Sequence, residues 1–235
     1  MATENMGLRE SKKQETRQLI SDQATRLFIE QGFEQTTIAE IAAAARVAKK
    51  TVTNYFARKE DLALDHHEAF TASLARAVAD RADGESPLAA LRREFTTALD
   101  RCDPVAGFTG PEFARMVADS PTLTARLREL HDQREEVLAE TLAATAPSTL
   151  PSTLPAPAPA PTGSGAGDDV PDFASRAVAA LLGAGHRLLF RRIQELTLAG
   201  RSNDEIATIL RPEADGVFGL LADSLGEGGA SGEAP

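Results

Sequence analysis

Residues 46–59 of this 235-residue chain, RVAKKTVTNYFARK, hold Arg46, Lys49, Lys50, Arg58 and Lys59 and no acid. Interleaved with these cations stand Thr51, Thr53, Asn54 and Tyr55, whose side chains both donate and accept hydrogen bonds. Ammonium and guanidinium groups neutralise phosphates, while hydroxyls and amides brace on the backbone or reach base edges. The whole chain carries a net charge of −10, so everything outside this stretch sums to −15. A compact basic patch on an acidic body is the electrostatic footprint of a small nucleic-acid-reading head. A solvated basic helix face would carry the same charge, so spacing has to decide between them.

Other chemistries find little support. Cys102 and His131 are a thiol and a base, but no third residue or flanking motif is present to orient them. His66 and His67 are adjacent and would point about 100° apart around a helix, which suits a shared metal poorly. No HExxH, CxxC or phosphate-loop pattern occurs. No catalytic residue, metal or cofactor is expected. A single cysteine excludes an internal disulfide and fits a reducing cytosol. No apolar run approaches the roughly 20 residues that span a bilayer. The N-terminal MATENMGLRESKKQ lacks the apolar centre of a secretory signal. A soluble cytoplasmic protein is expected.

The basic stretch needs helices to present it. Ser11 with Gln14 predicts a capping box, and Leu19, Ile20, Ala24, Leu27 and Phe28 follow at helical spacing until Gly32. Thr37 and Glu40 form a second box opening a short helix with Ile38, Ile41, Ala42 and Ala45 on one face. After a tight turn, Val52 and Phe56 face inward on another short helix. Two short helices braced by a longer one make a tri-helical head.

Further on, the spacing predicts a long helix over 58–83, helices near 87–102 and 121–145 opened by Ser86-Pro87 and Ser120-Pro121, and an irregular helix over 104–118. Residues 146–172 hold seven of the 13 prolines, with the repeat PSTL-PSTL, and are expected to be a disordered Pro/Gly-rich loop. An apolar helix over 172–200 follows. Ser202 with Glu205 then opens another, which Pro212 is expected to restart. Residues 226–235 are expected to be a disordered tail. The expected fold is all-α, with a DNA-binding domain at 1–57 and a larger helical ligand-binding and dimerisation domain at 58–225.

Residues 34–62, EQTTIAEIAAAARVAKKTVTNYFARKEDL, resemble the DNA-binding signature of the TetR family of helix-turn-helix transcriptional regulators. The likeness lies in a Thr-capped helix with I-A-x-x-A, a turn, then V-x-x-x-T-V-x-x-Y-F and a following Lys-Glu. It covers about the first 65 residues. Arg46 stands where the family often has a turn glycine, and Arg58 where it often has a small capping residue. The resemblance implies that Tyr55 and Lys59 contact the DNA backbone, that the last two long helices form a dimer and that the middle helices hold a ligand.

On the residues themselves, Thr37 caps a helix whose first amides can meet a phosphate, and Lys49, Lys50, Thr51 and Thr53 stand at the start of the recognition helix. Arg46 and Asn54 complete the candidate DNA contacts. Candidate ligand contacts are Phe95, Leu99, Phe108, Phe113, Met116, Leu127, His131 and His186, with Leu123 and Leu138 beside them and Cys102 and Arg115 as further polar groups. A filled core with no ligand is the alternative there. The expected partners are double-stranded operator DNA, a second copy of the chain through 172–225, and a small apolar or amphipathic effector that releases DNA. A repressor is expected ahead of an activator. The competing class is a helical module whose helix-turn-helix binds protein.

Overall fold

The computed structural model describes residues 2–145 and 172–227, with side chains from residue 11 onward. The loop expected over 146–172 lies outside the described residues except for Asp172, and the tail outside them except for 226–227. Every regular element among the described residues is a helix, as the composition and periodicity predict. None is long and apolar enough to cross a membrane.

The chain forms two compact units. The first comprises the described residues up to His67 together with Gly110–Arg128. It contains α1 (Ala2–Gln31), α2 (Ile38–Ala44), α3 (Lys49–Tyr55), α4 (Lys59–Ala63), α7 (Pro111–Asp119) and the first residues of α8 (Pro121–Thr145). Ile20, Phe28, Ile41, Val52, Leu62 and Leu123 are fully buried there and make one core. Local signals set most of the boundaries. Gly32 takes φ +87° and ends α1, while Thr37 and Glu40 close a complete capping box on α2. Ser120 caps α8 by accepting from the Leu123 amide at 3.1 Å.

Three sequence expectations are corrected. No capping box forms at Ser11, because α1 begins at Ala2 and runs through it; the Ser11 hydroxyl instead bonds Glu15 at 3.2 Å. The helix expected over 58–83 is broken into α4 and α5 (His67–Ala79). Tertiary contacts hold the break open: Arg17 bonds the Asp65 carbonyl at 3.3 Å, and the Ser21 hydroxyl bonds the Asp65 carboxylate. Pro212 restarts nothing, since α10 (Asn203–Leu225) passes through it unbroken. Its missing N–H removes one bond of the ladder without ending the helix.

The second unit comprises Glu68–Thr109 and the described residues from Glu129 on. It holds α5, α6 (Pro87–Arg101), a short 3-10 turn at Pro104–Ala106, the rest of α8, α9 (Phe173–Leu198) and α10. Its core is aliphatic, with Leu91, Leu99, Leu138, Leu182, Leu189 and Ile193 fully buried. The N-caps read from sequence are present: Ser86 on α6 and the Ser202–Glu205 box on α10. α10 packs on α9 and α6. At Gly185 the side chains of α10 lie so close to α9 that a Cβ would stand 2.8 Å from Leu221 Cδ1. Leu182, Leu189, Ile193, Phe218 and Leu221 are in this core. Leu181, Leu188, Leu198 and Leu220 on the same two helices stay exposed.

Candidate nucleic-acid interface and effector site

The helix-turn-helix is built by α2, the turn at 45–48 and α3. The turn is a Schellman motif: the Val47 amide donates to the Ala42 carbonyl at 3.0 Å and the Arg46 amide to Ala43 at 3.1 Å. This closure needs a left-handed residue after the C-cap, and Arg46 takes φ +55°. The position where glycine is expected by resemblance is therefore a glycine-like position filled by arginine, at a conformational cost of about 1–2 kcal/mol. In return the turn gains an exposed guanidinium.

Along α3, Lys49, Lys50, Thr53 and Asn54 are exposed and Thr51 is half-buried, while Val52 is fully buried and anchors the helix. Thr53 turns its hydroxyl back onto the Lys50 carbonyl at 3.1 Å. Tyr55 packs against the head core. Thr37 uses its hydroxyl within the capping box, donating to Glu40 at 2.8 Å and accepting from the Glu40 amide at 3.3 Å. The Thr37 amide, donating to the Glu40 carboxylate at 2.8 Å, and then the Thr37 hydroxyl hold that carboxyl below its usual range. Lys59 is placed differently from the other cations. Its Nζ stands 4.3 Å from the Phe33 ring centre and bonds the Glu34 carbonyl at 3.4 Å. Burial lowers its pKa, against the pull of Glu34 and Glu60.

The head is stiffened by contacts that local pattern does not reveal. Arg126 on α8 bonds Asp61 on α4 through Nε at 3.1 Å and Nη2 at 2.9 Å, with both side chains nearly buried. Ser120 bonds Glu34 at 2.7 Å, and this bond chiefly lowers the Glu34 carboxyl pKa. A recess of about 420 Å³ in this unit lies beside Phe28, Phe33 and Met116. Six of its eleven lining residues are exposed, among them Glu112, Arg115 and Asp119, so it is a surface feature.

The second unit holds a cluster of rings and cations. His131 meets Phe70 and Phe190 edge-on, with ring centres 5.0 and 5.1 Å away; His186 meets Phe95 and Phe218 at 5.8 and 5.6 Å. Arg134 stacks over Phe70 at 4.5 Å. Burial, helped by Arg134, lowers both histidines to about 3, so each is neutral near pH 7. Burial also pulls Arg134 down to about 9, which leaves it charged. Its Nε and the His186 Nε2 are buried without hydrogen-bond partners. A desolvated cation–π stack contributes about 2 kcal/mol, less than the cost of withdrawing a guanidinium from water. A cavity of about 50 Å³ adjoins Arg134, His186, Phe95 and Phe190.

Residues 20–65 match the family model of bacterial regulatory proteins, tetR family. That stretch, from α1 to the break after α4, is what the chain shares with the family. The HTH-type transcriptional regulator TcmR of Streptomyces glaucescens is 34% identical over 138 residues, which is 57% of this chain and 61% of that protein. The chain thus matches somewhat less than two thirds of that relative's length. A solved Syntrophomonas wolfei protein assigned to the TetR-family transcriptional regulators superposes with a TM-score of 0.51. It is 18% identical and covers 87% of this chain and 95% of its own. That likeness shows the fold.

The TetR-family head brings Arg46, Lys49, Lys50, Thr51, Thr53, Asn54, Tyr55, Thr37 and Lys59 onto α2, α3, the turn between them and the start of α4. The expected ligand residues do not gather in one place. Phe95, Leu99, Phe108, His131 and His186 lie in the second unit, whereas Phe113 and Met116 pack with the head core and Leu127 belongs to the head unit. Arg134 and Asp61–Arg126 were missed. Charged residues on amphipathic helices read as solvated faces, and the one available signal was the run of cations and acids on α8 with little apolar spacing to turn them outward.

Proposed function

We propose that this chain is a ligand-responsive transcriptional regulator, a repressor that occupies a palindromic operator in the cytoplasm as a two-fold dimer. The observation that carries the reading is the outward face of α3 and its turn, where Arg46, Lys49, Lys50, Thr53 and Asn54 are exposed around a buried Val52. The match to the tetR family and the named activity of its Streptomyces relative support it. The dimer is supported by Leu181, Leu188 and Leu220, which stay exposed on α9 and α10, next to Gly216 and Gly219, whose Cβ positions face open space. The effector is a small amphipathic molecule held in the second unit beside the ring cluster.

The test is selection from random DNA, followed by binding at 50 and 200 mM salt. Enriched sites should show inverted half-sites about one helical turn or a multiple apart, and affinity should fall by on the order of a thousand-fold between the two salts. Lys49→Ala should relax base preference, at about 1–3 kcal/mol per half-site. Enrichment without inverted symmetry, or affinity indifferent to salt, would sink the proposal.

A further inference from the structure

We infer that the effector carries a carboxylate head group, bound in the cavity between Arg134 and His186. This rests on the reading that the second unit holds an effector, and it adds the chemical class.

Arg134 is a buried cation whose Nε–H has no acceptor, and among the described residues no carboxylate stands within ion-pair distance of it. Phe70 covers one face of its guanidinium by stacking, which leaves the in-plane Nε–H unsatisfied. A buried charge in this state favours an anion, because no carboxylate of the fold neutralises it. His186 Nε2 is buried and unpartnered beside the same cavity. Two orphaned nitrogens on side chains that line one cavity suit an acceptor with two oxygens.

The size fits a head group rather than a whole ligand. The cavity of about 50 Å³ has room for one or two water-sized groups of roughly 30 Å³ each, which is the scale of a carboxylate. Leu74, Phe95, Ala98 and Phe190 supply apolar wall for the start of a tail. Glu94 and Asp103 also border the space, but Glu94 is exposed and Asp103 accepts from the Val105 amide at 2.8 Å. Neither serves Arg134 as a counter-ion. The inward turn of Glu94 is the rival way to neutralise it.

The test uses the full chain, labelled with nitrogen-15, and sodium formate as the probe. The Arg134 Nε–H resonance is identified by its loss in Arg134→Met. Formate should move it saturably, with half-effect at millimolar concentration, while formamide and sodium chloride at matched ionic strength leave it in place. Arg134→Lys keeps the charge without the planar fork and should weaken formate about tenfold. Arg134→Met should melt no lower than wild type, as expected when an unpaired buried charge is replaced by an apolar side chain.

Absence of a saturable shift overturns the inference, as does a shift that formamide reproduces. A response that emerges only in Glu94→Gln shows that Glu94 is the counter-ion and also overturns it. Salt-dependent DNA binding, measured on the same wild-type sample, keeps the two readings separate. If DNA binding fails while formate binds, the regulator reading falls and the anion site stands. The reverse outcome removes the carboxylate alone.

Discussion

Arg126 and Arg134 lie eight residues apart on α8, and both are withdrawn from water. Arg126 meets Asp61 through two nitrogens, whereas Arg134 meets a ring face and leaves Nε unanswered. The pair belongs to the unit that carries α3 and its turn, and the orphan belongs to the unit that holds the ring cluster and cavity. A buried charge with its partner built in is structure, and a buried charge with an unanswered N–H is a candidate for an outside partner. Burial by itself separates neither case.

Asp61→Ala is the harshest test of this contrast. It removes both bonds that Arg126 makes to Asp61 and should destabilise the head by about 3 kcal/mol, read as a lower urea midpoint with unchanged slope. A loss under 1 kcal/mol would mean that water replaces the carboxylate, and the contrast between the arginines would collapse.

Acid should weaken the second unit next. His131 and His186 sit near 3 when folded and near 6.5 when unfolded. Their neutral burial therefore favours the fold fully above 6.5 and progressively less as pH falls towards 3. Each contributes a slope of up to about 1.4 kcal/mol per pH unit, so moving from pH 7.5 to 5.5 should cost about 3 kcal/mol for the two. His186→Leu should halve that dependence. A flat profile in wild type would show that the rings are hydrated.

For Arg134→Met the sign reverses relative to Asp61→Ala: removing the orphan should leave stability unchanged or raise it by about 1 kcal/mol. Thermal melting at pH 7.5 decides this. A clear loss would make Arg134 a structural prop like Arg126.

The smallest effect is expected at the turn. Arg46→Gly releases the left-handed strain but loosens the unfolded chain, for a net gain of about 0.5 kcal/mol. The same change should weaken DNA binding by removing a cation.

Helix starts were legible from sequence in both units and tertiary contacts in neither, and the reason is range. Thr37 with Glu40, Ser202 with Glu205, and the Ser86-Pro87 and Ser120-Pro121 pairs act within one turn, so their residue types suffice. The break at 64–66 depends on Arg17 and Ser21 holding Asp65 from more than forty residues away, and an apolar stripe that continues through the gap conceals it. Phe113 and Met116 read as second-unit residues by position in the chain, yet they pack on the head core. Arg134 was the least legible. Nothing in an arginine's neighbours along a helix says that its guanidinium will be shut away with two histidines.

The close approach of α9 and α10 constrains how the chain can change over time. A methyl at 185 would meet the tip of Leu221 at 2.8 Å and Val217 at 3.3 Å, so the end of the leucine must turn aside to admit it. Gly185→Ala should therefore cost more in the native background than after Leu221→Ala, and positions 185 and 221 are expected to change as a pair.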